Sequence, residues 1–139
     1  MAEAKKRFVM NAEQRVYVEK SWGYEDWIWN GRYCGKKLVI EKNKECSFHY
    51  HKVKDEVLYL ERGKVLLTYG WDEDVAAAAT LILTADMAFH IPPGMWHKFK
   101  GLEESLIFEV STHHSDKDVV RLGDKDEKDG DDSDEDLRA

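Results

Sequence analysis

Ser47-Phe-His-Tyr-His-Lys-Val-Lys-Asp-Glu56 is the stretch whose reading decides the fold. Side chains two apart on a strand share a face, so His49 and His51 point one way and Tyr50 the other. A short turn through Lys52, Val53 and Lys54 can bring Glu56 back beside them from the next strand. Two imidazoles and a carboxylate gathered on a sheet face make a first-row metal site with open positions. A fourth candidate, His97, lies far downstream in Ile91-Pro-Pro-Gly-Met-Trp-His97. A lone histidine is usually a structural residue. Two at strand spacing, a following glutamate and a distant Pro-Pro-Gly-x-x-His point instead to shared chemistry.

Outward from that stretch, turn residues punctuate short β-prone runs. Residues 15–19 alternate as a strand. Asn30-Gly31 between 24–29 and 32–41 is a strong hairpin signal. After the polar turn at 42–44 the histidine strand runs over 46–51. Residues 55–61 and 64–69 flank Arg62-Gly63 as a tight hairpin. Residues 75–83 are ambiguous, with four alanines favouring helix and Thr80-Leu-Ile-Leu-Thr84 favouring strand; the neighbours decide for strand from about Ala78. Ala85-Asp86 makes a turn, 88–91 a brief strand, and Pro92-Pro93-Gly94 a loop before 96–99. Residues 106–111 form an apolar strand and 118–122 a last edge segment. About ten short strands with no convincing helix predict an all-β antiparallel sandwich or barrel.

The 139 residues suffice for one domain with a core, and 42% hydrophobic content supplies it. The expected organisation is an N-terminal arm at 1–13, one domain at 14–123 and an acidic tail at 124–139. That tail carries nine acidic against three basic side chains, so it holds nearly all of the net charge of -7. With almost nothing to bury, it is expected to be disordered. The body is close to neutral and shows no basic patch, which argues against nucleic acid as a partner. No apolar run reaches the roughly 18 residues of a membrane span. The first residues lack a signal-peptide pattern, so a cytoplasmic location is expected. Cys34 and Cys46 have no CxxC spacing. If 33–41 and 45–51 pair as a hairpin about Asn43, the two cysteines are not opposite one another, and two separate thiols result.

His49-x-His51-x4-Glu56-x6-Gly63 resembles the first motif of the cupin family, and Pro92-x-Gly94-x2-His97 resembles the second. The family has glycine where Asn43 stands here, and asparagine tolerates positive φ nearly as well. Its second motif begins with glycine and ends with asparagine, where this chain has Asp86 and Gly101. Lys20-Ser-Trp-Gly-Tyr-Glu, Tyr33-Cys-Gly-Lys-Lys-Leu, Phe89-His-Ile-Pro-Pro-Gly, Phe108-Glu-Val-Ser-Thr and Asp118-Val-Val-Arg-Leu narrow the likeness over roughly 16–123. Together they resemble the type II mannose-6-phosphate isomerase cupin, which occurs alone or fused behind a mannose-1-phosphate guanylyltransferase. The Asp-Arg-Tyr-Gly-Arg-like run that ends that family is replaced here by Gly123-Asp-Lys-Asp-Glu.

The resemblance implies a single cupin jelly-roll barrel, paired as a homodimer. Inside it His49, His51, Glu56 and His97 would bind one divalent metal, and imidazole with carboxylate suits Zn, Fe, Mn, Co or Ni. It also implies a small-molecule substrate, a sugar phosphate or nucleotide sugar, isomerised through an enediol. That reaction needs a polarised carbonyl and a general base. Candidates for the base are Glu109, polar within an apolar strand, and His90, two residues before Pro92. Lys52, Lys54 and Arg62 could meet a phosphate, although turn lysines are commonly just solvated. Trp22, Trp27, Trp29 and Trp96 could stack a sugar, although barrel aromatics are more often core. No Gly-x-Ser-x-Gly or glycine-rich phosphate loop occurs. The same ligand set also serves an iron-dependent cupin oxygenase or a non-catalytic sugar-binding cupin, because one fold carries all three.

Overall fold

Turn residues cut the chain into strands at the places the sequence marks. The computed structural model describes residues 8–123. Residues 1–7 of the expected arm and the acidic tail at 124–139 lie outside the described residues. β1 (Val16–Lys20), β2 (Gly23–Asn30) and β3 (Tyr33–Ile40) form a meander, and the last two pair across the Asn30-Gly31 turn. Then come β4 (His49–His51), β5 (Glu56–Arg62) and β6 (Lys64–Gly70). β7 (Ala79–Thr84), β8 (Ala88–Ile91), β9 (Trp96–Gly101), β10 (Ser105–Thr112) and β11 (Val119–Arg121) complete the set. The alanine-rich ambiguity resolves into a single 3-10 turn, Val75–Ala77, followed by β7. Asp74 caps that turn by accepting the Ala76 N–H at 3.1 Å.

Every pairing is antiparallel, in two sheets ordered β1-β2-β3-β10-β5-β8 and β11-β4-β9-β6-β7. From β3 onward the chain changes sheet at each connection except β6 to β7, which winds it into an all-β jelly-roll barrel. The expected hairpin of 33–41 with 45–51 does not form. β3 pairs with β2 and β10, while β4 lies in the other sheet against β9 and β11. The histidine strand is therefore shorter than expected, and residues before it attach only by bonds such as Cys46 N–H to Phe99 O at 3.2 Å. Cys34 and Cys46 are separate buried thiols. No helix of the described residues is long and apolar enough to cross a membrane.

Alternation places the core. β3 buries Cys34, Lys36, Leu38 and Ile40, β5 buries Glu56, Leu58 and Leu60, and β10 buries Ser105, Ile107 and Glu109. At one end of these strands Ile40, Leu60 and Ile107 meet Val65, Leu67 and Leu83 of the opposite sheet. Each such side chain contributes about 1.5–3 kcal/mol by leaving water. Further along the same strands the inward positions become Lys36, Glu56 and Glu109, so the interior turns from aliphatic to charged. Tight turns fix the strand order. Asn43 takes φ +67°, as its reading allows, and Asp86 takes φ +77° at the Ala85-Asp86 turn. Asp86 offsets that strain by donating its N–H to Leu60 O at 2.8 Å and accepting the Tyr59 hydroxyl at 2.9 Å.

Gly63 joins β5 to β6 at φ +105°. A Cβ there would press on Ser105 Oγ and stand 2.6 Å from Glu104 O. Gly63→Ala should therefore lower unfolding free energy by about 1–3 kcal/mol, read as a lower denaturant midpoint. A wild-type midpoint would show that the β5–β6 turn is not the tight one described.

Candidate metal site and charged cavity

The three histidines meet because of strand parity and one register. β4 turns His49 and His51 to the same face, and His49 is paired directly with His97 of β9. The His49 and His97 rings lie 4.3 Å apart between centroids, with His51 at 5.2 Å from His49 and 5.6 Å from His97. One ring nitrogen from each lies within 4.8 Å of the others. Glu56, the first residue of β5, faces them from the other sheet. Its Oε2 stands 3.3 Å from His51 Nε2 and 3.7 Å from His97 Nε2. The three imidazoles form the compact group, and Glu56 flanks it on the His51–His97 side.

The hydrogen bonds around the group orient its lone pairs. His49 Nδ1 lies 2.7 Å from Ser47 O and His97 Nδ1 lies 2.9 Å from Met95 O. A carbonyl only accepts, so the neutral rings carry their protons on Nδ1 and turn Nε2 lone pairs inward. Glu56 Oε2 accepts no hydrogen bond among the described residues, although Glu56 is only 4% exposed. Leaving such an oxygen unpartnered is unfavourable, and a cation beside it would satisfy it. The chemistry of the donors thus fits a divalent first-row metal ion. Burial pushes the His49 and His51 pKa values well below the usual imidazole range and brings His97 down to about 4. Burial likewise raises Glu56, against the pull of Lys54.

A cavity of about 240 Å³ opens over this group, and its floor is charged. Glu109 enters from β10 between Lys36 of β3 and Leu58 of β5. Lys54 Nζ lies 2.7 Å from Glu109 Oε2 and 3.1 Å from His114 Nδ1. His114 Nε2 in turn lies 2.7 Å from Asp116 Oδ1. Lys36 Nζ lies 3.2 Å from Glu25 Oε1 and 4.2 Å from the centre of the Trp27 ring. Burial alone would raise the Glu109 pKa; Lys54 and Lys36 outweigh it and hold the carboxyl well below its ordinary value.

Of the residues singled out from sequence, the fold brings His49, His51, Glu56, His97 and Glu109 to one cavity. It does not bring His90 there. β8 turns Phe89 and Ile91 inward, and His90 points outward with its Nε2 2.7 Å from Asp55 Oδ1, its side chain 59% exposed. Lys54, read as a turn lysine commonly left in solvent, is 3% exposed. Trp22 lines the cavity edge-on to Phe99, and Trp27 and Trp96 are buried, whereas Trp29 is half exposed. Glu25, Lys36, His114 and Asp116 escaped the sequence reading. Lys36 and Glu25 sit in the inward register with Leu38 and Trp27, a period-two signal that was there to be used. His114 lies in the loop after β10 and Asp116 opens the 3-10 turn Asp116–Asp118, and neither carries such a signal.

Residues 37–111, more than half of the chain, match the cupin domain family. The chain belongs to the cupin family. No curated protein matches this cupin in sequence. Solved structures of similar fold include oxalate decarboxylase from Bacillus subtilis, with TM-score 0.67 and 16% identity over 81% of this chain and 31% of that one. KdgF from Halomonas sp. gives 0.63 and 16% over 77% and 94% of the two chains. L-ribose isomerase from Cellulomonas parahominis gives 0.64 and 16% over 72% and 69%. This cupin spans about a third of the length of the first of these. At such identities the likeness is one of fold.

Buried neutral imidazoles make the metal-free protein acid-sensitive. The unfolded His97 takes a proton below about 6.5, while the folded ring resists it down to about 4. Between those values the unfolded state binds more protons, so stability falls as pH falls. Glu56, whose pKa is raised, acts with the opposite sign, and His97→Gln isolates the imidazole. Chelator-treated protein should therefore show a lower urea midpoint at about pH 5 than at about pH 7, with a smaller difference in His97→Gln. An equal difference in both would contradict a neutral buried His97.

Proposed function

We propose that this cupin is a metal-dependent sugar-phosphate isomerase of the mannose-6-phosphate isomerase type, cytoplasmic and homodimeric. The observation that carries the reading is the buried Glu109 carboxylate, paired with Lys54, in the same cavity as the three histidines and Glu56. Aldose–ketose isomerisation moves a proton between adjacent carbons while negative charge develops on oxygen. His49, His51, Glu56 and His97 would hold a divalent metal, which when bound would supply Lewis acidity toward that oxygen. Glu109 is the base that takes the proton from one carbon and returns it to the next. Lys54 and Lys36 keep it ionised at neutral pH. Trp22 and Phe99 line the cavity with apolar surface, and Glu25 and Lys36 offer polar atoms to sugar hydroxyls.

Two further points support this reading. Segments that resemble the type II mannose-6-phosphate isomerase cupin also line the cavity, through Lys20, Trp22, Glu25, Lys36, Glu109 and Arg121. An isomerase also occurs on this fold: the Cellulomonas parahominis L-ribose isomerase has been solved with L-psicose.

The test is a coupled assay on mannose 6-phosphate after stripping the protein and reloading it with Mn, Co, Zn or Fe. Turnover is expected with at least one metal. His51→Ala should lose both bound metal and turnover. Glu109→Gln should keep its metal and lose about 10²–10⁴-fold in kcat. Oxygen consumption with Fe(II) and no isomerisation would make the protein an oxygenase instead. Binding without turnover under every metal would make it a sugar-binding cupin.

A further inference from the structure

Lys54 touches both the base and the loop beyond β10. It lies two positions before Glu56 in a turn, yet its ammonium is buried at the cavity floor. Its backbone is held from far along the chain. Asp118 Oδ1 accepts the Val53 N–H at 2.8 Å, Asp118 Oδ2 accepts the Lys54 N–H at 2.9 Å, and Asp118 O accepts the Lys52 N–H at 3.1 Å. Its side chain is held at both sides as well. An ammonium only donates, so His114 Nδ1, 3.1 Å away, is an acceptor. The ring proton then sits on Nε2 and is donated to Asp116 Oδ1 at 2.7 Å. His114 itself is fixed by Asn30, whose Oδ1 accepts the His114 N–H at 2.8 Å and whose Nδ2 donates to His114 O at 3.0 Å. On the other side, Lys54 Nζ and Ser111 Oγ, at 2.7 and 3.0 Å, both reach Glu109 Oε2.

We infer that Lys54 is a positioning residue that holds Glu109 by one carboxylate oxygen and His114 in one tautomer, seated by the segment 114–118. What Glu109 then does rests on the isomerase reading; the placement does not. A base fixed through Oε2 offers Oε1 to the substrate in a constant direction, and misplacement by about 1 Å is enough to lose about a hundredfold in rate. Lys54 touches no reacting atom in this scheme. Its contribution passes through Glu109.

The experiment compares the zinc-loaded full chain with Lys54→Met, Glu109→Gln and the double variant, each labelled with ¹⁵N in histidine. Lys54→Met strands a buried carboxylate and can fail to fold. The double variant removes both charges, and it differs from Glu109→Gln only at Lys54. In wild type and in Glu109→Gln, the His114 ring should show a proton on Nε2 and a hydrogen-bonded Nδ1. In the double variant, Nδ1 should move to the position of a nitrogen with no donor. An unmoved Nδ1 overturns the placement. In turnover, Lys54→Met should lower kcat about a hundredfold with KM little changed, and should cost nothing further in the Glu109→Gln background. An equal loss in both backgrounds overturns action through Glu109. If wild type turns over no sugar phosphate, the isomerase reading falls, and the nitrogen spectrum still decides whether Lys54 holds His114.

Discussion

An ammonium buried in a β-barrel has to be answered by a carboxylate, and this barrel buries two. Lys36 is 1% exposed and Lys54 is 3% exposed. Removing one partner of such a pair leaves an uncompensated charge at about 3–5 kcal/mol. The answering groups come from separate parts of the chain: Glu25 from β2 and Glu109 from β10, with His114 and Asp116 from the loop that follows. A one-residue slip of β3 or β10 would turn Lys36 or Glu109 outward. The charged floor therefore demands the same registers that the aliphatic core demands, and the two requirements agree.

That agreement divides the interior between stability and chemistry. Along β10 the inward residues run Ser105, Ile107, Glu109, and along β5 they run Leu60, Leu58, Glu56. The Ile107 end is closed by apolar packing with Leu60 and Val65, all fully buried. The Glu109 end gives up apolar burial for groups that can meet a polar ligand. Between the two ends the histidine cluster hangs on a very short strand, β4, tied to β9 by one residue pair and to β11 by three. Asp118 reinforces this weak point by binding three successive backbone N–H groups of the turn after β4. The segment that closes the barrel thus also shapes the site.

Much of this was legible in the sequence, for physical reasons. The His49–His51 spacing reports a shared face because a strand alternates, and Pro92-Pro93-Gly94 marks where the chain must turn before His97. Asn30-Gly31 announces its hairpin through backbone freedom, whereas Gly63 turns the chain from one sheet to the other, so β5 and β6 do not pair as the hairpin expected there. What was misread depended on tertiary context. His90 looked like a base because it lies near Pro92, but Phe89 and Ile91 are the apolar pair of β8 and take the inward places. Lys54 looked solvated because turn lysines usually are, and it is the distant Glu109 carboxylate of β10 that answers its buried ammonium. The hairpin expected about Asn43 failed because the turn there carries the chain from one sheet to the other.

The claim on which the rest stands is that the histidine cluster holds a metal ion. Anomalous diffraction from crystals of the protein loaded with one equivalent of cobalt or manganese tests it directly. A single strong peak is expected among the facing ring nitrogens of His49, His51 and His97, within bonding reach of a Glu56 oxygen. An empty cluster under those conditions, or a peak found only on surface carboxylates, would contradict it.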